Sequence, residues 1–250
     1  MSINHTEAVV IGSTNLVEAD RIISVYSPEF GQIRGVAHGV KRIKNRFGSA
    51  LEPLTHIQLI YKDRPNRELQ IFQQADIINS YQTLRDDIIC LCAGLYAAEL
   101  VQKLTPVGGD GQPGIFLLLL KTLALLSTKT DTISILHIFE VRFLDLLGYR
   151  PNLTQCLGCQ ALPQGYGWGY SPSKGGLICP ACRKKIRDTL SLSPGGIKFL
   201  VQAMQMDLDR VGRLRILPSS KGELENILQS MLMMHLCAPL KSYPILKSLM

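Results

Sequence analysis

Four cysteines dominate the chemistry available to this 250-residue chain. Cys156 and Cys159 form C-L-G-C, Cys179 and Cys182 form C-P-A-C, and nineteen residues separate the pairs. Four thiolates fill the tetrahedral shell that zinc prefers. No histidine lies between positions 138 and 234, so the set is purely sulfur. A complete four-sulfur shell leaves no open position for water or substrate. The expected group is therefore one structural zinc ion, not a catalytic one. Other readings stay open at this point: two unrelated pairs of small residues, or an iron–sulfur cluster. A thioredoxin-like motif fits worse, because it wants a single C-x-x-C at the head of a helix.

The cysteine segment spans 154–187. Between its pairs, Tyr166, Trp168 and Tyr170 alternate with Gly165, Gly167 and Gly169. Alternation along an extended strand places the three rings on one side. They form either a stacking platform for bases or the small core of the knuckle itself. Tyr170, followed by Ser171 and Pro172, is the ring expected to be better exposed. Arg183, Lys184, Lys185 and Arg187 then put four positive charges in five residues. Such a run serves as a phosphate contact or as an ordinary solvated face.

A second cationic cluster lies in RGVAHGVKRIKNRFGSALEPL. Arg34, Lys41, Arg42, Lys44 and Arg46 fall within thirteen residues without an acid, and His38 sits in the same run. These side chains would neutralise phosphates without reading sequence; the bland alternative is a solubilising loop. Gly35 and Gly39 allow a sharp turn or close approach to a ligand. Phe47 either stacks on a base or is buried under the loop.

The elements that must position these residues follow from hydrophobic period. Short runs with β-branched and aromatic content, from EAVVIGSTN at 7 to ELQIFQQADI ending at 77, predict about five strands. Ser27–Pro28, Gly31, Gly39 and the KDRPN segment at 62–66 mark turns between them. A small barrel closes such a set without exposed edges, and a small open sheet is the alternative. From about residue 81 the apolar spacing becomes helical. The first helix is predicted to run up to Pro106, with Asp86 and Asp87 near its start. Others are predicted over 115–128, over 132–147, from Pro194 with Ser193 as cap, and over 222–236. The tail APLKSYPILKSLM, with two prolines, is expected to be irregular. The expected organisation is α+β and multidomain: a β-rich domain at 1–80 and an α-helical domain at 81–250, interrupted by the knuckle at 154–187. Cys90, Cys92 and Cys237 sit in apolar periodic segments and read as small core residues.

The formal net charge is +7, and residues 156–250 carry all of the excess, with twelve Lys/Arg against five Asp/Glu. An excess of that kind points to an anionic partner, nucleic acid first. No apolar run reaches membrane-spanning length. No secretory signal is read at the N-terminus, and cytoplasm is expected.

With these motifs in place, the chain resembles the RecO family of bacterial recombination mediators and DNA-repair proteins. The opening EAVVIGSTNLVEADRIISVYSPEFGQIRGVAHGVKRIKNRFGSALEPL carries the resemblance first. Within it, Gly39, Lys41, Arg42, Lys44, Asn45, Arg46 and Phe47 lead into Leu51 and Pro53. FEVRFLDLLGYRPNLTQCLGC and SPSKGGLICPAC are similar to the family's two knuckle pairs, and LSLSPGG and HLCAPLKSYPILKSL agree in character. The resemblance implies an N-terminal five-stranded OB-fold barrel, an α-helical C-terminal domain and an inserted four-cysteine zinc knuckle. It implies binding to single- and double-stranded DNA and annealing of complementary strands. It also implies work with RecR and the single-strand-binding protein to load the recombinase RecA, in the cytoplasm at the nucleoid. The residues at 34, 41, 42, 44 and 46 correspond to the family's DNA-binding loop, with no catalytic residue among them. A protein-interaction adaptor with incidental DNA affinity and a metal-dependent nuclease are the alternatives. The nuclease reading lacks a clustered Asp/Glu set suited to two magnesium ions, and the sequence has no G-x-x-x-x-G-K-S/T, H-E-x-x-H or G-x-S-x-G motif.

Overall fold

Strand β1 (Ile3–Asn15) is long enough to pair twice. In the computed structural model, which describes residues 2–16, 18–42, 44–64 and 67–249, its first half runs antiparallel to β4 (His56–Lys62). Its second half runs antiparallel to β2 (Arg21–Ser27). A register shift between Val10 and Gly12 marks the change, as bulges do where a strand must bend. Strand β2 continues antiparallel to β3 (Gly31–Ala37). Strand β3 meets β5 (Gln70–Asn79) in a short parallel contact, Gly35 opposite Gln70 and Val36 opposite Ile71. Strand β5 returns antiparallel to β4, and the order β1-β2-β3-β5-β4 closes into a barrel. This is an OB-fold. Pro65 and Asn66 of the turn expected at 62–66 lie outside the described residues.

The barrel interior follows the alternation of its strands. Ile23, Val25, Ile33, Ile57, Leu59 and Phe72 fill it. The connection between β3 and β4 adds Phe47, Ala50 and Leu51 to the same core, so that loop is anchored from beneath. Gly35 is required by packing and not by a ligand: a Cβ there would stand 2.2 Å from a ring carbon of Phe72. Replacing it by valine forces Phe72 off its seat. Overpacking of this kind costs ~2–3 kcal/mol, and a urea titration of Gly35→Val checks it through a lowered midpoint.

Two compact units make up the chain: residues 1–130 with 240–250, and residues 131–239. In the first, a short α1 (Gln82–Arg85) precedes α2 (Ile88–Leu104). Asp87 separates them and caps α2, accepting from the N–H groups of Ile89 and Cys90 at 3.0 Å each, a standard N-cap stabilisation. Helix α2 lies against the barrel where side chains are absent. Gly12 accommodates the Gln102 amide, and Gly94 lies under Leu54. Cys90 and Cys92 are both buried, because α2 is covered on more than one face. Helix α3 (Pro113–Leu126) completes this helical layer.

The second unit begins with α4 (Thr132–Leu146), capped by Asp131. The knuckle follows, built from β6 (Gly169–Ser171), β7 (Gly176–Ile178), the single turn α5 (Pro180–Arg183) and β8 (Leu190–Ser191) in the sheet order β7-β6-β8. Then come α6 (Pro194–Gln205), α7 (Leu208–Val211) and α8 (Lys221–Met233). Ser193 caps α6 through the Gly196 N–H at 3.1 Å, with Pro194 at the first helical position. Arg142 of α4 donates to the carbonyls of Ala203 and Met206. Those are among the last carbonyls of a helix, which lack partners of their own.

The C-terminal tail differs from the expectation of irregular chain. Residues Ser242–Leu249 form a helix, α9, in the first unit. Pro244 falls in its first turn, where a missing N–H is no loss. The capping group comes from afar: the Glu99 carboxylate accepts from the N–H groups of Lys241 at 2.9 Å and Ser242 at 2.8 Å. Cys237 also departs from expectation. It lies past the end of α8 and is exposed rather than buried in a core.

Candidate nucleic-acid interface and metal centre

The loop after β3 begins with a turn that Gly39 makes at a φ of 70°. Asp20 holds this turn. Its carboxylate accepts the Gly39 N–H at 2.8 Å and contacts the His38 Nδ1 at 2.7 Å. The Gly39 N–H and the His38 ring keep the Asp20 carboxyl below its ordinary value. Farther along, the Asn45 side chain donates to the Arg42 carbonyl at 3.1 Å and accepts the Phe47 N–H at 2.9 Å. Phe47 is buried, and the Arg46 guanidinium lies 4.9 Å over its ring while donating to the Phe72 carbonyl at 3.1 Å. The loop is thus tied at three points, and its cations extend from a fixed base.

His38, Lys41, Arg42, Lys44 and Arg46 are all exposed. His38, Arg42, Lys44 and Arg46 line one open cleft of about 460 Å3, with Asp20, Gly39 and Asn45. Arg34 is not among them. Its register on β3 points it out of the barrel, half-buried, into a different cleft of mixed charge, where Arg64 and Arg67 stand with Glu29, Asp63, Glu68 and Asp110. Asp20 escapes a reading by charge, because a lone acid outside a basic run carries no local signal of pinning that run.

In the second unit, the sulfurs of Cys156, Cys159, Cys179 and Cys182 all lie within 4.8 Å of one another, with Cys159 and Cys179 at 3.5 Å. A tetrahedron with metal–sulfur bonds of about 2.3 Å has edges of about 3.8 Å, so the donor set fits one ion. The backbone is shaped for it. A Cβ on Gly158 would lie 2.8 Å from the Cys182 sulfur. The Cys156 sulfur accepts the N–H groups of Gly158 at 3.3 Å and Cys179 at 3.2 Å.

Burial raises the Cys156 thiol, but the N–H groups of Cys179, Gly158 and Cys159 outweigh burial and bring it down to about 6. Cys182 is pushed up to about 12, first by the Cys179 sulfur and then by that of Cys159. The Ala161 N–H lowers Cys159, yet the sulfurs of Cys179 and Cys156 leave it raised. Four thiols this close do not ionise together unless a cation sits among them.

The aromatic set departs from simple alternation. Gly165 and Gly167 take φ values of 65° and 87°, so the chain turns before β6 begins. Tyr170 is 1% exposed and Trp168 4%, and both belong to the knuckle core. Tyr166, not Tyr170, is the open ring, at 85%. Arg183 is likewise drawn inward: it donates to the carbonyls of Gly167 at 3.0 Å and Trp168 at 3.2 Å and to Ser191 Oγ at 3.1 Å. Lys184, Lys185 and Arg187 are exposed.

Comparison with known proteins agrees with both halves of this architecture. Family models described as Recombination protein O N terminal and Recombination protein O C terminal match residues 1–81 and 85–244. The chain belongs to the RecO family. A DNA repair protein RecO of Symbiobacterium thermophilum is 30% identical over 252 aligned residues, covering 100% of this chain and 98% of its own length. Those of Roseiflexus and Pelotomaculum thermopropionicum are 33% and 32% identical, covering 91% and 98% of this chain and 79% and 94% of theirs. The RecO models divide the chain near residue 83, whereas its packing divides it at 130 and carries α2, α3 and α9 with the barrel. No helix among the described residues is long and apolar enough to cross a membrane.

Proposed function

We propose that this protein acts in recombinational DNA repair as a non-catalytic DNA-binding protein that anneals complementary single strands. The observation that carries the reading is the tethered loop of the OB-fold, whose His38, Arg42, Lys44 and Arg46 share one open cleft, with Lys41 exposed beside them. Guanidinium and ammonium groups carried on a tethered backbone neutralise phosphates of either single or double strands without contacting base edges. Two strands so screened no longer repel, and base pairing completes the annealing. Arg34 stands apart from this set, in a cleft it shares with both arginines and carboxylates, and Lys184, Lys185 and Arg187 supply a further exposed cationic set in the second unit.

In this reading the four cysteines hold zinc, which organises the knuckle and takes no part in a reaction. The division of labour is a DNA-binding barrel at 1–80 and a helical remainder at 81–250. Membership of the RecO family supports joint action with RecR and the single-strand-binding protein, and through them the loading of RecA, at the nucleoid.

The test is strand annealing. Two complementary oligonucleotides mixed at low salt should pair at least tenfold faster with the protein than alone. DNA should stay intact through the reaction with magnesium present. Pairing at the spontaneous rate, or magnesium-dependent fragments, would count against the proposal.

A further inference from the structure

Resting on that DNA-binding reading, we infer that Tyr166 is a stacking platform for an unpaired base, making the knuckle a second contact for single-stranded nucleic acid. An aromatic residue in a segment this small ordinarily goes to its core, as Trp168 and Tyr170 do. Tyr166 is instead almost fully exposed, between two glycines whose left-handed backbone lifts it out of the strand. The pedestal is rigid. Gly167 sits against Pro180, which a Cβ would approach to 3.1 Å, and its carbonyl is held by Arg183. Both residues belong to the turn that carries Cys182, so the ring's base is tied to the metal centre.

The electrostatic setting selects the kind of partner. From position 146 to 187 the chain has six Lys/Arg and no Asp or Glu. A divalent ion on four thiolates contributes a net charge of −2, which leaves the segment cationic. Lys184 and Lys185 follow directly on the Arg183 that grips the neighbour of Tyr166. On the other side, Gly165 forms one wall of a shallow apolar groove of about 220 Å3 with Pro163, Ile197 and Lys198. A flat exposed ring on a segment rich in phosphate-seeking cations is the composition of a sequence-tolerant single-strand site, because every base has a π-face. A duplex, whose bases are stacked already, offers nothing for the ring to hold.

The test uses the full-length, metal-loaded protein with Tyr166→Ala and Tyr166→Phe, and two probes of equal length: an oligo-dT and an abasic deoxyribose-phosphate chain. Tyr166→Ala should bind the dT strand about tenfold more weakly, in the range one stacked base supplies, and the abasic chain as well as the unmodified protein does. Tyr166→Phe should bind both normally. Because the ring stands out in solvent, metal content should not change. Equal affinity of Tyr166→Ala and unmodified protein for dT would overturn the inference. So would an equal loss on both probes, or a loss confined to binding of another protein. Each of those results leaves the barrel-loop reading standing. If the unmodified protein bound neither probe, it would be the DNA-binding reading itself that failed.

Discussion

Reversing Lys41, Arg42 and Lys44 to glutamate should weaken binding to a single-stranded oligonucleotide on the order of a thousandfold at about 50 mM salt. The figure follows from counterion release: each neutralised phosphate contributes a slope of about 0.7–0.9 to the dependence of log affinity on log salt. Three fewer neutralised phosphates, reckoned from a reference of about 1 M salt, amount to roughly three decades at about 50 mM, and reversal adds repulsion. Folding should be spared. All three side chains are exposed, and the hydrogen bonds that tie the loop use Asp20, Asn45, Arg46, Phe47 and the backbone of Lys41 and Arg42, which the reversal retains. Surface changes of this kind cost within ~0.5 kcal/mol. A gel shift across protein concentration, with a thermal melt beside it, separates a weakened affinity from a damaged fold.

Metal removal should have the second large effect, on the knuckle. Without a cation the four sulfurs settle unequally: Cys156 is down near 6, Cys182 is up near 12 and Cys159 is raised. At pH 7 the metal-free site therefore carries a thiolate at Cys156, while Cys159 and Cys182 keep their protons. Loading the ion expels at least two protons, so its affinity should climb at least a hundredfold per pH unit around pH 7 and fall more steeply below about pH 6, where Cys156 is protonated as well. Calorimetry in buffers of different ionisation enthalpy counts those protons. A chelator, or Cys156→Ser, should expose residues 154–191 to rapid hydrogen exchange, since metal affinity here is local folding energy. The barrel, in the other compact unit, should keep its protection. Uptake independent of pH would mean that the sulfurs are not the ligands.

The features legible in the sequence are those encoded within a few residues. Two C-x-x-C turns announce a four-sulfur cluster because each turn places its own pair. The barrel strands announce themselves by β-branched runs and by turns such as Gly31 and Gly39. Asp87 and Ser193 read as helix-start signals from their position alone, and the structure makes both of them caps.

What escapes the sequence depends on partners far along the chain. Pro244 reads as a breaker until Glu99, more than 140 positions earlier, supplies the cap that starts α9. Arg34 reads as part of the loop cluster by proximity, yet strand register turns it to another cleft. Tyr170 reads as the open ring only while alternation runs through 166–170. Positive φ at Gly165 and Gly167 ends that alternation and exchanges the roles. The approach of α2 to β1 rests on Gly12, which leaves room for Gln102, and Gly94 of α2 makes room for Leu54 and for Leu123 of α3, a complementarity no single segment displays.

The most direct measurement is a salt titration of binding to one oligo-dT, comparing the unmodified protein with the 41/42/44 reversal. The cationic-loop account predicts a straight decline of log affinity with log salt for the unmodified protein, and a slope shallower by about two to three for the variant. An affinity indifferent to salt, or identical slopes for the two proteins, would contradict it.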